Sequence, residues 1–384
     1  MDKFNLLITV AVIIIIFISL FLSLFLFTVK TEHKLSNRLF AFFLVFTAID
    51  ISGILFNFLN DNPSNIGMFR NSISFLQPPT LYLYVLSVCY SDFKLKSIHL
   101  LHITPFLIAN LILLSRFYSV SLSSKIDFLE NNSNMLEIQF IHIFLHIQIV
   151  AYIIVVFIIL RKAKKLYLEN YAGASMESIN WLFQFIIAIS LFYFFAFIKN
   201  IFKFTDYSNI LEWLKIGLFV FELFIISWYL FKALNNPSLF RNIDSKLKLV
   251  KAIILDKKSE NLAVNENIYT KELLQLKSYM IEKKPFLNPS LTIQDISNDI
   301  EIPTRELSLL INHKLGQHFF DFINIYRIEN AMEILKDTTR TKVTILEILY
   351  EVGFNSKSSF NAAFKKHAGI TPTKYRKQLK NNTL

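Results

Sequence analysis

The chain is poor in glycine, in charge and, above all, in cysteine. Seven glycines in 384 residues leave few places for the tight left-handed turns and phosphate-cradling loops that glycine serves, which argues against a fold built on such loops. The single cysteine, Cys89, excludes an internal disulfide framework and a cysteine-cluster zinc site. Only 18% of the residues are charged and 53% are hydrophobic, against roughly 25% and 45–50% in a soluble domain. Such a chain must bury apolar surface, so disorder over most of its length is excluded. Nucleophile elbows, paired catalytic carboxylates and phosphate loops are also missing. The expectation is a protein that is not an enzyme and that uses no cofactor and no metal.

What is present is basic and apolar at once. Forty Lys and Arg against 29 Asp and Glu give a net charge of +11, a balance that fits membrane-flanking loops or a nucleic-acid surface. The two explanations divide the chain. A bilayer-crossing helix needs about 20 mostly apolar residues, and seven stretches qualify: Phe4–Val29, Leu39–Leu59, Ile73–Tyr90, His99–Tyr118, Leu136–Leu160, Ile179–Ile198 and Leu211–Phe231. The first is too long for the apolar core of a signal peptide and lacks a small-residue cleavage site, so it is read as a retained span. With the N-terminus outside, the inner loops carry nine Lys and Arg, the run from Arg161 to Lys165 weighing most, and the outer side six. The inside excess of positive charge therefore sets the topology as N-out and C-in, in the cytoplasmic (inner) membrane with everything after Phe231 in the cytoplasm.

Three segments follow: a seven-span domain over 1–232, a juxtamembrane part over 233–270, and a soluble part over 271–384. Within the middle one, 243–255 has apolar residues at helical spacing. It reads either as a helix whose lysines meet acidic lipid or as a dimerising signalling helix. Residues 256–270 are polar and read as a linker.

The last segment is patterned as two helix-turn-helix units. Lys271–Lys283 is an amphipathic helix stopped by Pro285 and Pro289. Thr292 caps a short helix with Asp295 as the return partner, and after Glu301–Pro303 a second helix runs Thr304–Lys314. A long helix over Phe319–Leu335 connects to the second unit, Ile345–Tyr350, a turn at Val352–Gly353–Phe354, and Ser356–His367. Pro372 opens a last short helix. The fold class expected is all-α: a seven-helix transmembrane bundle followed by a cytoplasmic all-α domain with two helix-turn-helix units.

The strings Ile345, Ile348, Val352–Gly353–Phe354, Ser358–Phe360, Phe364–Lys365–Lys366, Gly369, Thr371–Pro372 and Tyr375–Arg376, with LTIQDIS (291–297), ELSLLIN (306–312) and INIYRIENAMEIL (323–335), resemble the AraC/XylS family of DNA-binding domains over about 110 residues. The whole arrangement is similar to membrane-bound relatives that fuse a multi-spanning domain to such a reader. The resemblance implies sequence-specific binding of double-stranded DNA and transcription regulation, with a homodimer and RNA polymerase contact as further expectations. Two departures stand out. Where the family has a small alanine inside the first helix of each unit, this chain has Ser297 and Leu349.

In a helix-turn-helix the second helix enters the major groove. Spacing puts Arg305, Ser308 and Leu309 on the exposed face of the first unit, and Lys357, Ser358, Asn361 and Ala362 on that of the second; the family's base-reading positions fall on most of these. Arg305 and Lys357 suit guanine, Asn361 adenine or a phosphate, and Ala362 only a thymine methyl. Residues 338–384 hold nine Lys and Arg against two acidic residues, whereas 271–337 hold eight against ten. Lys365, Lys366 and Arg376 therefore belong to the electrostatic anchor. Arg327, on the connecting helix, is expected to pair with Glu329 or Glu333.

Polar residues inside spans are costly and invite a functional reading. Gln77, Asn110, Gln139, His142, Glu212 and Lys215 fall in the outer half of the bundle, with Asp50, His146 and Glu222 near its middle. They could line a pocket for an unknown ligand whose binding shifts helix packing, or pair with one another to hold the bundle together. His142 and His146 share a helix face and could hold a metal or sit at a helix interface. Two rival functions stay open: a transporter or channel with a regulatory tail, and a regulator whose spans only anchor it.

Overall fold

The computed structural model describes residues 3–29, 34–60, 62–90, 92–131, 135–172, 176–202, 208–235 and 266–381. The expected helix at 243–255 lies outside them. Regular structure among the described residues is helical, and no strand occurs. They form two compact units: Met1–Leu160 with Trp181–Asn242, and Arg161–Asn180 with Ile243–Leu384.

The first unit contains α1 (Lys3–Thr28), α2 (Lys34–Ile51), α3 (Gly53–Leu59), α4 (Asn65–Ser72), α5 (Gln77–Cys89), α6 (Thr104–Leu113) and α7 (Leu122–Glu130). To these it adds most of α8 (Leu136–Asn170), α9 (Met176–Phe202) and α10 (Ser208–Asn235). Helix α1 packs on α2 and α10, and α2 on α5. An aromatic cluster ties four helices, α2, α5, α9 and α10, together: Phe40 stacks on Tyr229 at 3.9 Å and lies tilted against Tyr84 at 4.9 Å, and Phe185 lies 5.0 Å from Tyr229. The two tyrosine hydroxyls are 3.2 Å apart. The outer faces of α1 and α8 are apolar, with Phe17, Phe21, Leu24, Ile143 and Ile147 exposed.

Six of the described helices are long and apolar enough to cross a membrane, where the sequence led to seven. The difference falls on Ile73–Tyr90. That stretch is a 3-10 turn over Ile73–Leu76 joined to α5, which is buried over most of its 13 residues. Pro78 and Pro79 lack the N–H groups that an uninterrupted α-helix would need at those positions, which puts the start of α5 there. Arg70, counted among outer-loop cations, is instead buried; its guanidinium donates to the carbonyls of Ile49 and Asp50 beside the break between α2 and α3.

The second unit holds α11 (Glu266–Lys283), α12 (Ile293–Asp299), α13 (Thr304–Leu309), α14 (Phe319–Lys336), α15 (Ile345–Glu351), α16 (Lys357–Ala368) and α17 (Pro372–Asn381). Glu266–Thr270, read as part of a linker, are already the first turns of α11, because nothing in ENIYT breaks a helix. Two cores form. Leu276, Met280, Phe286, Leu291, Ile296, Leu307 and Ile311 surround the first unit, and Ile348, Leu349, Val352, Phe354, Phe360 and Phe364 the second. Helix α14 serves both, with Phe319, Phe322 and Ile323 in one and Ile328 and Ala331 in the other. Phe354, Phe360, Phe364 and Tyr375 form an edge-to-face chain with 5.2–5.7 Å spacings, each step contributing about 0.5–1.5 kcal/mol beyond burial. Leu349, in the family's alanine position, is fully buried in this core, so its volume is accommodated. Ser297, in the other, donates to the carbonyl of Ile302 at 2.7 Å and so fastens the turn of the first unit.

Local sequence sets the starts of these helices. Thr292 and Asp295 form a reciprocal capping box, as do Thr344 and Glu347. Removing such a cap costs about 1 kcal/mol. Thr344→Ala is therefore expected to lower the stability of the C-terminal unit by about that amount, measured as the shift in urea-dependent protease resistance. Both turns use positive φ: 90° at Gly353 and 56° at the matching Glu301. Glycine reaches that region without steric cost, and a glutamate does not.

Candidate nucleic-acid interface and polar cavity

Helix α16 is built to present a face. Ser356 caps it, Phe360 and Phe364 are buried, and Gly369 ends it in the left-handed conformation. That leaves Lys357, Ser358, Ala362 and Lys365 exposed and Asn361 half-buried between them. Positions 357, 358, 361, 362 and 365 share one side of a helix at i, i+4 and i+8 spacing, so the expected reading residues of the second unit do come together. Lys366 is exposed and paired with Asp321 of α14 at 2.6 Å. Arg376 is half-buried on α17. The face is polar and cationic at the end of a short helix, the arrangement that suits phosphates and base edges.

The first unit is different. Arg305 is exposed as expected, but Ser308 and Leu309 are only 3% and 4% exposed. The run Leu307 to Ile311 is buried without interruption. At about 100° per residue, five consecutive positions go all the way round a helix, so this helix is covered on both sides. Leu307, Leu310 and Ile311 face the first core, to which Leu309 does not belong. On the other side Asn312 holds the Ser308 hydroxyl and carbonyl and donates to the carbonyl of Glu169 at 3.2 Å. No local pattern signals this contact, because Glu169 is 143 residues away.

Residues 161–172 account for the partner. The last ten residues of α8 belong to the C-terminal unit, and Ala163, Leu166, Tyr167 and Asn170 form a buried stripe at helical spacing. Beyond the helix, Tyr171 pairs with Thr292 as an antiparallel bridge, and the Ala172 N–H donates to the carbonyl of Leu291 at 3.0 Å. Ala172 is part of the first core.

Arg327 sits where these pieces meet. It is fully buried and does not pair with Glu329 or Glu333 as the sequence suggested. Its guanidinium donates to the carbonyls of Phe286 at 2.7 Å, Ala172 at 2.7 Å and Asn288 at 2.8 Å, and lies 5.4 Å from the Phe354 ring centre. Burial lowers its pKa to about 10, with Tyr167 acting in the opposite sense, so it stays cationic at neutral pH. Helix position explains the mismatch: Glu329 and Glu333, two and six residues on from Arg327 along α14, do not share its helix face, whereas its carbonyl partners come from the 285–288 loop and from Ala172, which only tertiary folding brings in.

In the first unit a cavity of about 530 Å³ is lined by Asp50, Gln77, His146, Lys199, Asn200, Lys215 and Glu222 among apolar side chains. Five of the sequence-selected polar residues meet there: Asp50, Gln77, His146, Lys215 and Glu222. Gln77 donates to Asp50 at 3.3 Å and accepts from Tyr193 at 3.2 Å, while His146 bonds Asn200 through Nε2 and the His142 carbonyl through Nδ1. Asn110 is not among the lining residues; it bonds Ser72 and Tyr118. Gln139 and His142 do not line it either, and the side chain of Glu212 lies outside the described residues. Lys199, Asn200 and Tyr193 were missed, since hydropathy places a residue by depth and says nothing of which helix it faces.

Residues 296–378 match a family of helix-turn-helix domains. The chain is 30% identical over 93 residues to an uncharacterized transcriptional regulatory protein, YesN, of Bacillus subtilis, covering 24% of this chain and 25% of that one. It is 28% identical over 88 residues to the melibiose operon regulatory protein of Escherichia coli (23% and 28%), and 26% over 110 residues to the Msm operon regulatory protein of Streptococcus mutans (28% and 38%). The chain thus spans about a quarter to two fifths of these relatives' length. No solved structure matches it.

Proposed function

We propose that this chain, whose C-terminal part is an AraC-type helix-turn-helix domain, is a membrane-embedded one-component transcription regulator. The observation that carries the reading is the open cationic face of α16 on a domain whose relatives are regulatory proteins. Lys357, Ser358, Asn361 and Ala362 read base edges in the major groove, and Lys365, Lys366 and Arg376 hold phosphates. Arg305, Ser308 and Leu309 form the corresponding face of the first unit. The protein acts as a homodimer that contacts RNA polymerase.

The N-terminal unit crosses the bilayer with its N-terminus outside. Six helices have the required length. The consecutive helical segments from Asn65 to Cys89, α4, the 3-10 turn and α5, about 37 Å at 1.5 Å per residue, together supply a seventh crossing. An odd number places the reader in the cytoplasm, on the side of the Arg161–Lys165 cluster. The polar cavity around Asp50, Gln77, Lys215 and Glu222 receives the signal; its volume lies in the range of small-molecule sites.

Crosslinking the full-length protein to DNA in cells and sequencing the recovered fragments tests the reading. A few reproducible sites sharing a motif are expected, and they are lost in the Arg305→Ala/Lys357→Ala double variant. Recovery no better than in that variant would overturn it. In vitro, Lys357→Ala should cost about 1–3 kcal/mol at one base position and relax specificity there. Lys365→Ala should weaken all sequences alike and flatten the salt dependence by about one unit of slope, as read from binding isotherms at several salt concentrations. A sequence-selective loss with Lys365→Ala would refute that assignment.

A further inference from the structure

We infer that residues 161–172, the last turns of α8 and the two residues that follow it, are an intramolecular occupant of the first recognition helix, and that this segment and DNA exclude each other there. The inference rests on the reading of the C-terminal part as a DNA reader. Three observations carry it. The first is the contrast between the two units: Asn361 is half-buried and Ala362 exposed on α16, whereas Ser308 and Leu309, at the matching positions of α13, are both buried. A helix that enters a major groove must offer those positions to base edges.

The second is the fit of the segment. Its buried stripe Ala163, Leu166, Tyr167 and Asn170 has the period of a docked amphipathic helix, while Arg161, Lys162 and Lys165 stay exposed. The third is that the attachment is made of specific polar bonds as well as apolar contact. Ala172 gives its N–H to Leu291 and its carbonyl to Arg327, Tyr171 bridges Thr292, and Glu169 accepts from Asn312. Asn312 also holds Ser308, so the bond to the segment and the base-reading position share one side chain.

Helix α8 runs without a break from Leu136 to Asn170. A shift of α8 along or about its axis therefore reaches this contact directly, without passing through 243–255. In the docked state the second unit alone is available and should protect one half-site. Release of 161–172 adds the second half-site, about 10 base pairs away.

The test uses the full chain in detergent or nanodiscs with Cys89→Ser, and adds Tyr171→Cys and Thr292→Cys at the bridged pair. Directly opposed residues of such a bridge lie within disulfide reach. A duplex selected from a random-sequence pool by the reduced protein serves as the probe. Oxidation is expected to form the crosslink, to shorten the footprint to one half-site and to weaken binding at least tenfold, all reversed by reductant. Leu166→Glu, which changes only the segment, is expected to move affinity the other way. An undiminished footprint in the crosslinked protein would overturn the occlusion while leaving the DNA reader intact. Failure of the pair to crosslink would remove the docked contact itself. Absence of binding in both redox states, with the same result for the Cys89→Ser protein, would overturn the DNA-reading function and this proposal with it.

Discussion

Arg327→Met is expected to lower the stability of the C-terminal unit by about 3–5 kcal/mol, the usual consequence of removing one side of a buried charged hydrogen-bond set. The side chain is fully buried and its three carbonyl partners come from two distant segments, Phe286 and Asn288 in one loop and Ala172 after α8. Methionine fills much of the volume but leaves those oxygens without donors, and each orphaned buried group costs on the order of 1–3 kcal/mol. Against a domain stability of roughly 5–15 kcal/mol, the loss is large enough to populate the unfolded unit. Arg327→Lys keeps the charge but not the planar fork, and should recover less than half of the loss. The measurement is urea-dependent pulse proteolysis of the C-terminal unit in the full-length protein. A change below about 1 kcal/mol would show that water replaces the guanidinium at no cost, contrary to the burial found.

Gly353→Ala is expected to be nearly as damaging, for a steric reason. At φ 90° an L side chain is strained, costing about 1–2 kcal/mol. The added Cβ would also stand 2.5 Å from the carbonyl oxygen of Phe286 and 2.7 Å from that of Leu287. Both are backbone atoms, and the Phe286 carbonyl is held by Arg327, so they cannot move aside cheaply; forced shifts of this sort cost about 1–3 kcal/mol more. Gly369→Ala is the control: its φ is 77°, but nothing lies within 4 Å of the added atom, so only the conformational part, about 1–2 kcal/mol, should be lost. The same proteolysis assay and a DNA-binding isotherm read both variants. Equal losses at 353 and 369 would mean that the close approach to Phe286 plays no part. The two predictions share one junction, where the loop Pro285–Asn288, α14 and the turn of the second unit meet, so Arg327→Met and Gly353→Ala should be less than additive in combination.

The reader domain was legible because its signals are local. Thr292 with Asp295 and Thr344 with Glu347 announce helix starts three residues apart. Gly353 announces a left-handed turn, and the spacing of Phe354, Phe360 and Phe364 announces a buried stripe. Each depends on residues within one or two helical turns, and so survives in the sequence. The apolar runs were legible for the same reason, with one failure at Ile73–Tyr90, where composition suggested a single helix and Pro78–Pro79 divides it.

What required the tertiary structure is whatever depends on partners far along the chain. Arg327 looked like an ion-pair former because Glu329 and Glu333 are its neighbours in sequence, yet its partners lie 39, 41 and 155 residues away. Ser308 and Leu309 had the spacing of an exposed face, yet both are buried; periodicity within one helix cannot register a surface that comes from elsewhere in the chain. In the cavity, sequence supplied the depth of Gln77, His146, Lys215 and Glu222 but not their rotation about each helix, so Asn110 was included and Lys199 and Asn200 were not. The sequence by itself determined where helices begin and end and which residues are apolar, polar or cationic. Only the folded chain decided which of those residues face one another, because a helix has one register along the chain but is free to pack against any neighbour whose surface completes its burial.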